Sequence, residues 1–356
     1  MFVALRDLRF ARGRFILIGA VVALITILVG FLAGLTGGLA NQNISAVLGM
    51  PGDRVVFAPP ASADGSPTFA DSDVSAAQAQ QWRDAPGVTE VEPIGISQTR
   101  LETADARTSI ALFGVEPTYA DTAPVDSGKI TLAKPAADEL GVAVGEVVTV
   151  GGHEFTVEAI GGDWWYSHTA VAQITLEDWQ AFASATGSPD AYATVLAVSG
   201  SPDWATTDAA VGTVSEGTVG TLMALSSFKS EIGSLLLMVA MLFGISGLVI
   251  GAFFTVWTMQ RRGDVAVLKA LGASTRSLVR DSLGQALIVL IVGIGAGTLI
   301  VFGLGTLAAQ ALPFVLSPLT TLLPGLIMTT LGLGGAAFAL RSVTTADPLT
   351  ALGSNR

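Results

Sequence analysis

The chain alternates long uncharged apolar blocks with one extended stretch of short polar and apolar runs. From Phe15 to Gly52 no side chain is ionisable, and Phe15 to Ala40 is apolar or small throughout. At about 1.5 Å per helical residue that suffices for one tilted crossing of a bilayer core. Ile232 to Gln260 is likewise uncharged and long enough for a second crossing. Ser282 to Leu340 carries no charge, and Pro313, Pro318 and Pro324 break it near its middle, so it is predicted to be two spans joined by a short turn. The pattern divides the chain into a cytoplasmic amphipathic helix at 1–14, spans at 15–40, 230–258, 282–311 and 319–340, a domain at 41–229, a connecting segment at 259–281 and a tail at 341–356.

Between the first two spans the periodicity changes. Arg54 to Ala58, Val88 to Leu101 and Ser109 to Val115 have strand composition, and Val74 to Arg83 and Pro135 to Leu140 are predicted helices. Glu146 to Val150 and Glu154 to Ile160 form a predicted hairpin turned at Gly151-Gly152. The fold class is therefore integral membrane α-helical, with four transmembrane helices and a mixed α/β extracytoplasmic domain between helices 1 and 2.

Composition agrees: 51% of the 356 residues are hydrophobic and only 13% charged, about half the usual globular share. Charge also orients the chain. The flanks and the 259–281 segment hold eleven cations against four acids, whereas 41–229 holds seven cations against twenty-four acids. By the positive-inside rule both termini are cytoplasmic in the plasma membrane and the acidic domain lies outside, with Trp257 at the inner aromatic belt. A basic start leading into an apolar run also fits a cleaved signal peptide, but this run is too long for one. Gly30, Gly34 and Gly38 make two overlapping GxxxG steps suited to close helix contact, and Gly247 and Gly251 repeat the spacing in span two. Cysteine is absent, so the domain must hold together by its own core.

Two segments carry a family resemblance. Lys134 to Val150 (KPAADELGVAVGEVVTV) followed by His153 to Ile160 (HEFTVEAI) resembles the helix, glycine turn and hairpin of extracytoplasmic domains in MacB and FtsX type permeases. The run Arg261-Arg262, Asp264, Val265 to Leu268, Lys269 and Ala270-Leu271-Gly272-Ala273 resembles that family's loop between spans two and three. The order of elements is also similar over the whole chain. Such permeases are type VII ABC transporter subunits, so the resemblance implies a homodimer, here through transmembrane helices 1 and 2, and a separate ABC ATPase in two copies. The chain itself has no Gly-x-x-x-x-Gly-Lys-Ser/Thr loop, which places ATP hydrolysis on a partner and makes this a membrane subunit and not an enzyme. No Gly-x-Ser-x-Gly elbow or His-Glu-x-x-His is present either, and the acidic balance disfavours nucleic acid.

The resemblance implies ATPase coupling through Arg261, Arg262, Asp264, Leu268, Lys269, Leu271 and Gly272. Spacing alone leaves two readings of that segment open: Val265, Leu268, Ala270, Leu271 and Leu278 make an apolar stripe that seats either in a protein groove or on anionic lipid. The same two readings apply to the 1–14 helix, where membrane lipid is the expected partner.

At the head of span two, Glu231, Ser234, Leu235, Met238 and Leu242 fall on one helical face. A carboxylate at such a boundary must snorkel, pair or bind something. One reading is a substrate site of Glu231, Ser234, Leu235 and Met238, with Glu231 as axial ligand to the iron of a flat apolar molecule such as haem; the other is a wet interfacial Glu231 beside Lys229, with methionines filling a core. The proportions of the chain are most similar to haem exporter permeases of the HrtB type, which makes haem a substrate and leaves no cofactor. His153 and His168 have no second ligand at metal spacing and are expected to be surface or hairpin residues. Asp163-Trp164-Trp165-Tyr166 is either a partner- or lipid-contacting edge or, as expected here, packed core or a membrane-facing anchor. Two functions remain: an efflux permease for haem or a similar hydrophobic compound, or a mechanotransmission permease that drives an extracytoplasmic hydrolase or export partner and moves no substrate.

Overall fold

A computed structural model describes residues 12–60, 65–260, 263, 267 and 272–344. They form two compact units, Met1–Gly38 with Ser234–Arg356, and Leu39–Gly233. Four of the described helices are long and apolar enough to cross a membrane: α1 (Arg12–Leu48), α7 (Ser226–Gln260), α8 (Thr275–Ala308) and α9 (Pro318–Thr344).

Most helix ends reach beyond the apolar blocks read from the sequence. α1 runs on to Leu48, past residue 40, because Ala46 and Val47 bury in the core of the inserted domain and Asn43 and Ser45 find polar partners there. α7 begins at Ser226, ahead of residue 230, with Phe228 buried in that same core. α8 begins at Thr275, inside the segment assigned to the cytoplasmic connection: Gly272 at φ +90° breaks the backbone, and the Ser274 hydroxyl accepts from the Ser277 N–H to cap the new helix. Leu278 therefore belongs to α8 and not to a coupling stripe. α8 ends at Ala308, short of residue 311, while α9 runs to Thr344, and Pro324 is absorbed inside α9 instead of separating spans.

Within the membrane unit several glycines face neighbouring helices. A Cβ on Gly30 would meet Val301 at 2.9 Å, one on Gly297 would meet Thr26 at 2.6 Å, and one on Gly335 would meet the Gly251 Cα at 2.8 Å. Gly34 lies against Phe314 and Gly38 against the Pro313 carbonyl. The glycine steps of span one are thus spent inside the protomer, against the third span and the connection that follows it. Trp257 is also internal, buried and edge-on to Phe15 and Phe254, so it is no belt residue.

The inserted domain is built on one ten-stranded sheet. Its elements in chain order are β1 (Arg54–Phe57), α2 (Ala76–Arg83), β2 (Val88–Glu102), β3 (Arg107–Val115), β4 (Lys129–Leu132), α3 (Lys134–Leu140), β5 (Val147–Val150), β6 (His153–Ile160), β7 (Trp165–Tyr166), β8 (Thr169–Thr175), α4 (Leu176–Ala185), β9 (Val195–Gly200), α5 (Trp204–Val211), β10 (Val214–Glu216) and α6 (Thr218–Met223). Strands run in the order β10-β1-β9-β2-β3-β8-β4-β6-β5, and β5 pairs again with β2 at Leu101 and Val150, closing six strands into a ring without a free edge. The Gly151-Gly152 turn has φ +58° and +84°, as its two-residue hairpin requires. α2 starts at a reciprocal Ser75–Gln78 capping box. Leu101, Ile110, Leu112, Ile130, Leu132 and Ile174 fill the ring with no solvent exposure. Tyr166 is buried, and Trp164 and Trp165 are partly buried against the core, so that aromatic run is packing.

Candidate ligand site at the head of the second membrane helix

Three segments distant in sequence meet at Glu231. The last turns of α1 supply Asn43, whose side chain is fully buried. The two-residue turn between β7 and β8 supplies Ser167 and His168, and the first turns of α7 supply Ser227 and Glu231. His168 Nε2 lies 3.0 Å from Glu231 Oε1 and 3.2 Å from Oε2. Asn43 Nδ2 donates to Glu231 Oε2 at 3.3 Å, and its Oδ1 accepts from the Ser227 hydroxyl at 2.7 Å. Ser167 Oγ donates to Ser227 Oγ at 2.8 Å. Donation from His168 to the carboxylate requires the tautomer with the proton on Nε2, and in that tautomer the 3.3 Å approach of Asn43 Nδ2 to the same nitrogen is a contact between two donors.

The turn is fastened by its backbone as well. The N–H of Ser167 donates to the Asn43 carbonyl and that of His168 to the Gln42 carbonyl, each at 2.9 Å. Beneath the turn Tyr166 packs edge-on to Phe69 and Phe113, and burial pushes its phenol above the ordinary value, so it stays neutral. The His168 and Glu231 side chains remain 34% and 39% exposed, which leaves the pair open to a ligand.

Sequence reasoning singled out Glu231 but set His168 aside as a surface or hairpin residue and passed over Asn43, Ser167 and Ser227. His168 is on a hairpin turn, yet it pairs with Glu231 across 63 positions of sequence. Ser234, Leu235 and Met238 follow Glu231 on α7, with Ser234 and Met238 exposed and Leu235 half-buried. Among the described residues no three His, Asp or Glu side chains gather as a metal-binding group, so the site offers an iron a carboxylate and a neighbouring imidazole and nothing more. A cavity of about 430 Å³ lies between α1 and α8, lined by Phe15, Ile16, Ala20, Ile288 and Val292 among others, but its wall is apolar and holds no donor for a metal. Of the coupling residues, Gly272 is described; Arg261, Arg262, Asp264, Leu268, Lys269 and Leu271 lie outside the described residues, as do residues 1–11 and 345–356.

Comparison with known proteins matches the MacB-like periplasmic core domain over residues 13–213 and the FtsX-like permease C-terminal over residues 219–348. The chain belongs to the MacB/FtsX family of ABC transporter permeases. It is a membrane protein, and this family implies a partner that carries the ATPase. The HrtB permease of Staphylococcus haemolyticus, named for a hemin transport system, is 25% identical over 362 residues, covering 99% of each chain. The HrtB of Staphylococcus epidermidis is 22% identical over 363 residues, covering 100% of each. An uncharacterized ABC transporter permease of Mycobacterium tuberculosis is 26% identical over 369 residues, with 99% of each chain covered. Among solved structures, the periplasmic region of MacB from Actinobacillus actinomycetemcomitans matches with a TM-score of 0.37 at 13% identity, over 49% of this chain and 92% of that one. The extracellular domain of the transporter YknZ from Gram-positive bacteria matches with a TM-score of 0.32 at 13% identity, over 45% and 88%.

Proposed function

We propose that this permease exports haem or a closely similar flat, apolar, metal-bearing molecule, and that Glu231 is its ligand residue. The observation that carries the reading is the half-exposed Glu231 carboxylate at the head of an apolar helix, held by His168 and Asn43. A carboxylate held in place and still reachable at that boundary is a ready axial donor to ferric iron. The full-length relatives named for hemin transport support the same substrate.

In this reading two copies pair through helices 1 and 2, each offering a Glu231, with the Ser234 hydroxyl beside it and Leu235 and Met238 as apolar wall. Haem enters from the bilayer, the carboxylate takes the iron, and closure of two partner ATPase subunits on the cytoplasmic side expels it. The Arg261 to Gly272 segment receives that motion, which requires cytoplasmic termini and an outward-facing inserted domain.

Hemin titration of the detergent-solubilised protein, followed by Soret absorbance, tests the assignment. Wild type gives a saturable shift and Glu231→Ala none beyond empty micelles, with both variants eluting as the same folded species. Equal affinity in the two proteins overturns Glu231 as ligand. Absence of any shift in wild type overturns haem as substrate and favours the mechanotransmission function.

A further inference from the structure

The turn that carries His168 is strained. Ser167 has φ +52° and His168 φ +64°, two consecutive side-chain-bearing residues in the left-handed region. Two-residue hairpin turns call for this twist, but Asn, Asp or Gly normally supplies it, because a Cβ there crowds the backbone. Backbone strain of this kind persists only where the surroundings over-determine it, and it concentrates at functional sites. Here the surroundings are named. Both turn N–H groups are bound to carbonyls of α1, and the Ser167 hydroxyl is bound to Ser227 on α7. The hairpin tip is thereby pinned to two membrane helices at their outer extensions, and the side chain it delivers is the one touching both oxygens of Glu231.

Resting on the reading of Glu231 as the ligand residue, we infer that His168 is a positioning residue that orients the Glu231 carboxylate for a metal centre and so selects metal-bearing over metal-free porphyrin. The imidazole N–H and the Asn43 amide reach the carboxylate from the turn and from α1, and the two together hold its plane. Groups that hydrogen-bond a metal ligand orient it and raise its effectiveness, and their loss typically weakens metal binding about 10- to 100-fold. An apolar porphyrin ring gains nothing from the carboxylate's orientation; only the iron does. Strain at the turn is the cost of placing an imidazole at this point and not an amide or a glycine.

Four proteins and two probes test this. The proteins are wild type, Glu231→Ala, His168→Gln and His168→Asn; the probes are hemin and metal-free protoporphyrin. Gln places an N–H donor close to the position of Nε2, whereas Asn suits the left-handed backbone but falls short of Glu231. His168→Gln is expected to keep hemin affinity within about threefold of wild type, and His168→Asn to lose about tenfold or more, with a changed ferric charge-transfer band. Protoporphyrin affinity and thermal midpoint stay at wild-type values in both. Wild-type hemin affinity and spectrum in His168→Asn, alongside a lost shift in Glu231→Ala, overturns the role of His168 and leaves Glu231 standing. Retained hemin binding in Glu231→Ala overturns the ligand assignment on which the inference rests. Equal loss of both probes with a lowered midpoint in His168→Asn, or loss in His168→Gln matching that in His168→Asn, also overturns the positioning role.

Discussion

The inserted domain and the membrane unit are packed by opposite rules. In the domain, the largest apolar side chains point inward: Trp82, Phe57, Phe113 and Ile94 are wholly buried. In the membrane unit the large apolar side chains point outward, with Leu248, Leu299 and Phe338 about three-quarters exposed at 74%, 75% and 77%, while Gly293, Gly297, Gly332 and Gly335 hold the helices together. Water makes the first arrangement favourable, at about 25 cal/mol for each Å² of apolar surface buried. Lipid offers no such gain, so helices there associate by close van der Waals contact, which needs small residues at the seam. The difference shows that exposure of a leucine means opposite things in the two regions.

Three substitutions sharpen or break that contrast. The largest effect is expected from Trp82→Ala in the domain. Trp82 is fully buried, stacks on Trp204 at 5.8 Å and donates from Nε1 to the Thr213 hydroxyl at 3.1 Å. Its removal is expected to cost about 3–5 kcal/mol, read by chemical denaturation. A loss below about 1 kcal/mol would mean that the domain is not held by its aqueous core. Next comes Gly335→Val. An added side chain would drive into the Gly251 backbone on α7, and overpacking of that kind costs about 1–3 kcal/mol, seen as a lower midpoint for detergent-solubilised protein. Unchanged stability would show that the α7–α9 seam tolerates separation and that small residues are not what hold it.

The smallest effect is expected at Glu92, which breaks the inward-apolar rule of the domain. It is buried, and its Oε2 has no hydrogen-bond partner among the described residues. Burial pushes its carboxyl above the ordinary range; Glu90 and Glu116 add to the rise, and Thr118 and Arg83 oppose it. A group whose native pKa exceeds its unfolded one stabilises the fold while both states are protonated, and that benefit is lost as pH rises through the native value. Stability is therefore expected to fall as pH increases from about 4 toward neutrality. Glu92→Gln flattens that slope and gains about 1 kcal/mol at neutral pH, measured by thermal melts across the interval. A slope unchanged in the variant would locate the proton elsewhere.

The local elements of the domain were the legible part. Strands β2 and β3, the Gly151-Gly152 hairpin and the helices at Ala76 and Lys134 announce themselves through alternation, paired glycines, a Ser-x-x-Gln cap and an early proline. β8 escaped because Ala170 to Ile174 is buried throughout and does not alternate, as befits a strand inside the sheet. α1 and α7 run beyond the apolar blocks because Ser45 accepts from the Trp165 N–H of β7, Asn43 accepts from Ser227, and Ser227 accepts from Ser167 of the β7–β8 turn, partners that no local pattern announces. Glu231 stood out as a carboxylate out of place, whereas His168 looked like any exposed turn residue.

Composition and periodicity by themselves determined how many helices are apolar enough to span a membrane and that an α/β domain is inserted after the first of them. Those properties follow from hydrophobicity and from backbone preferences over a few neighbouring residues, which a linear string records. Only the tertiary structure decided that the span-one glycines are consumed inside the protomer, that Trp257 is interior, and that Asn43, His168 and Glu231 converge. Hydrogen bonds and close contacts of that kind depend on the path of the chain between their partners, and no local preference encodes a distance between residues so far apart in sequence.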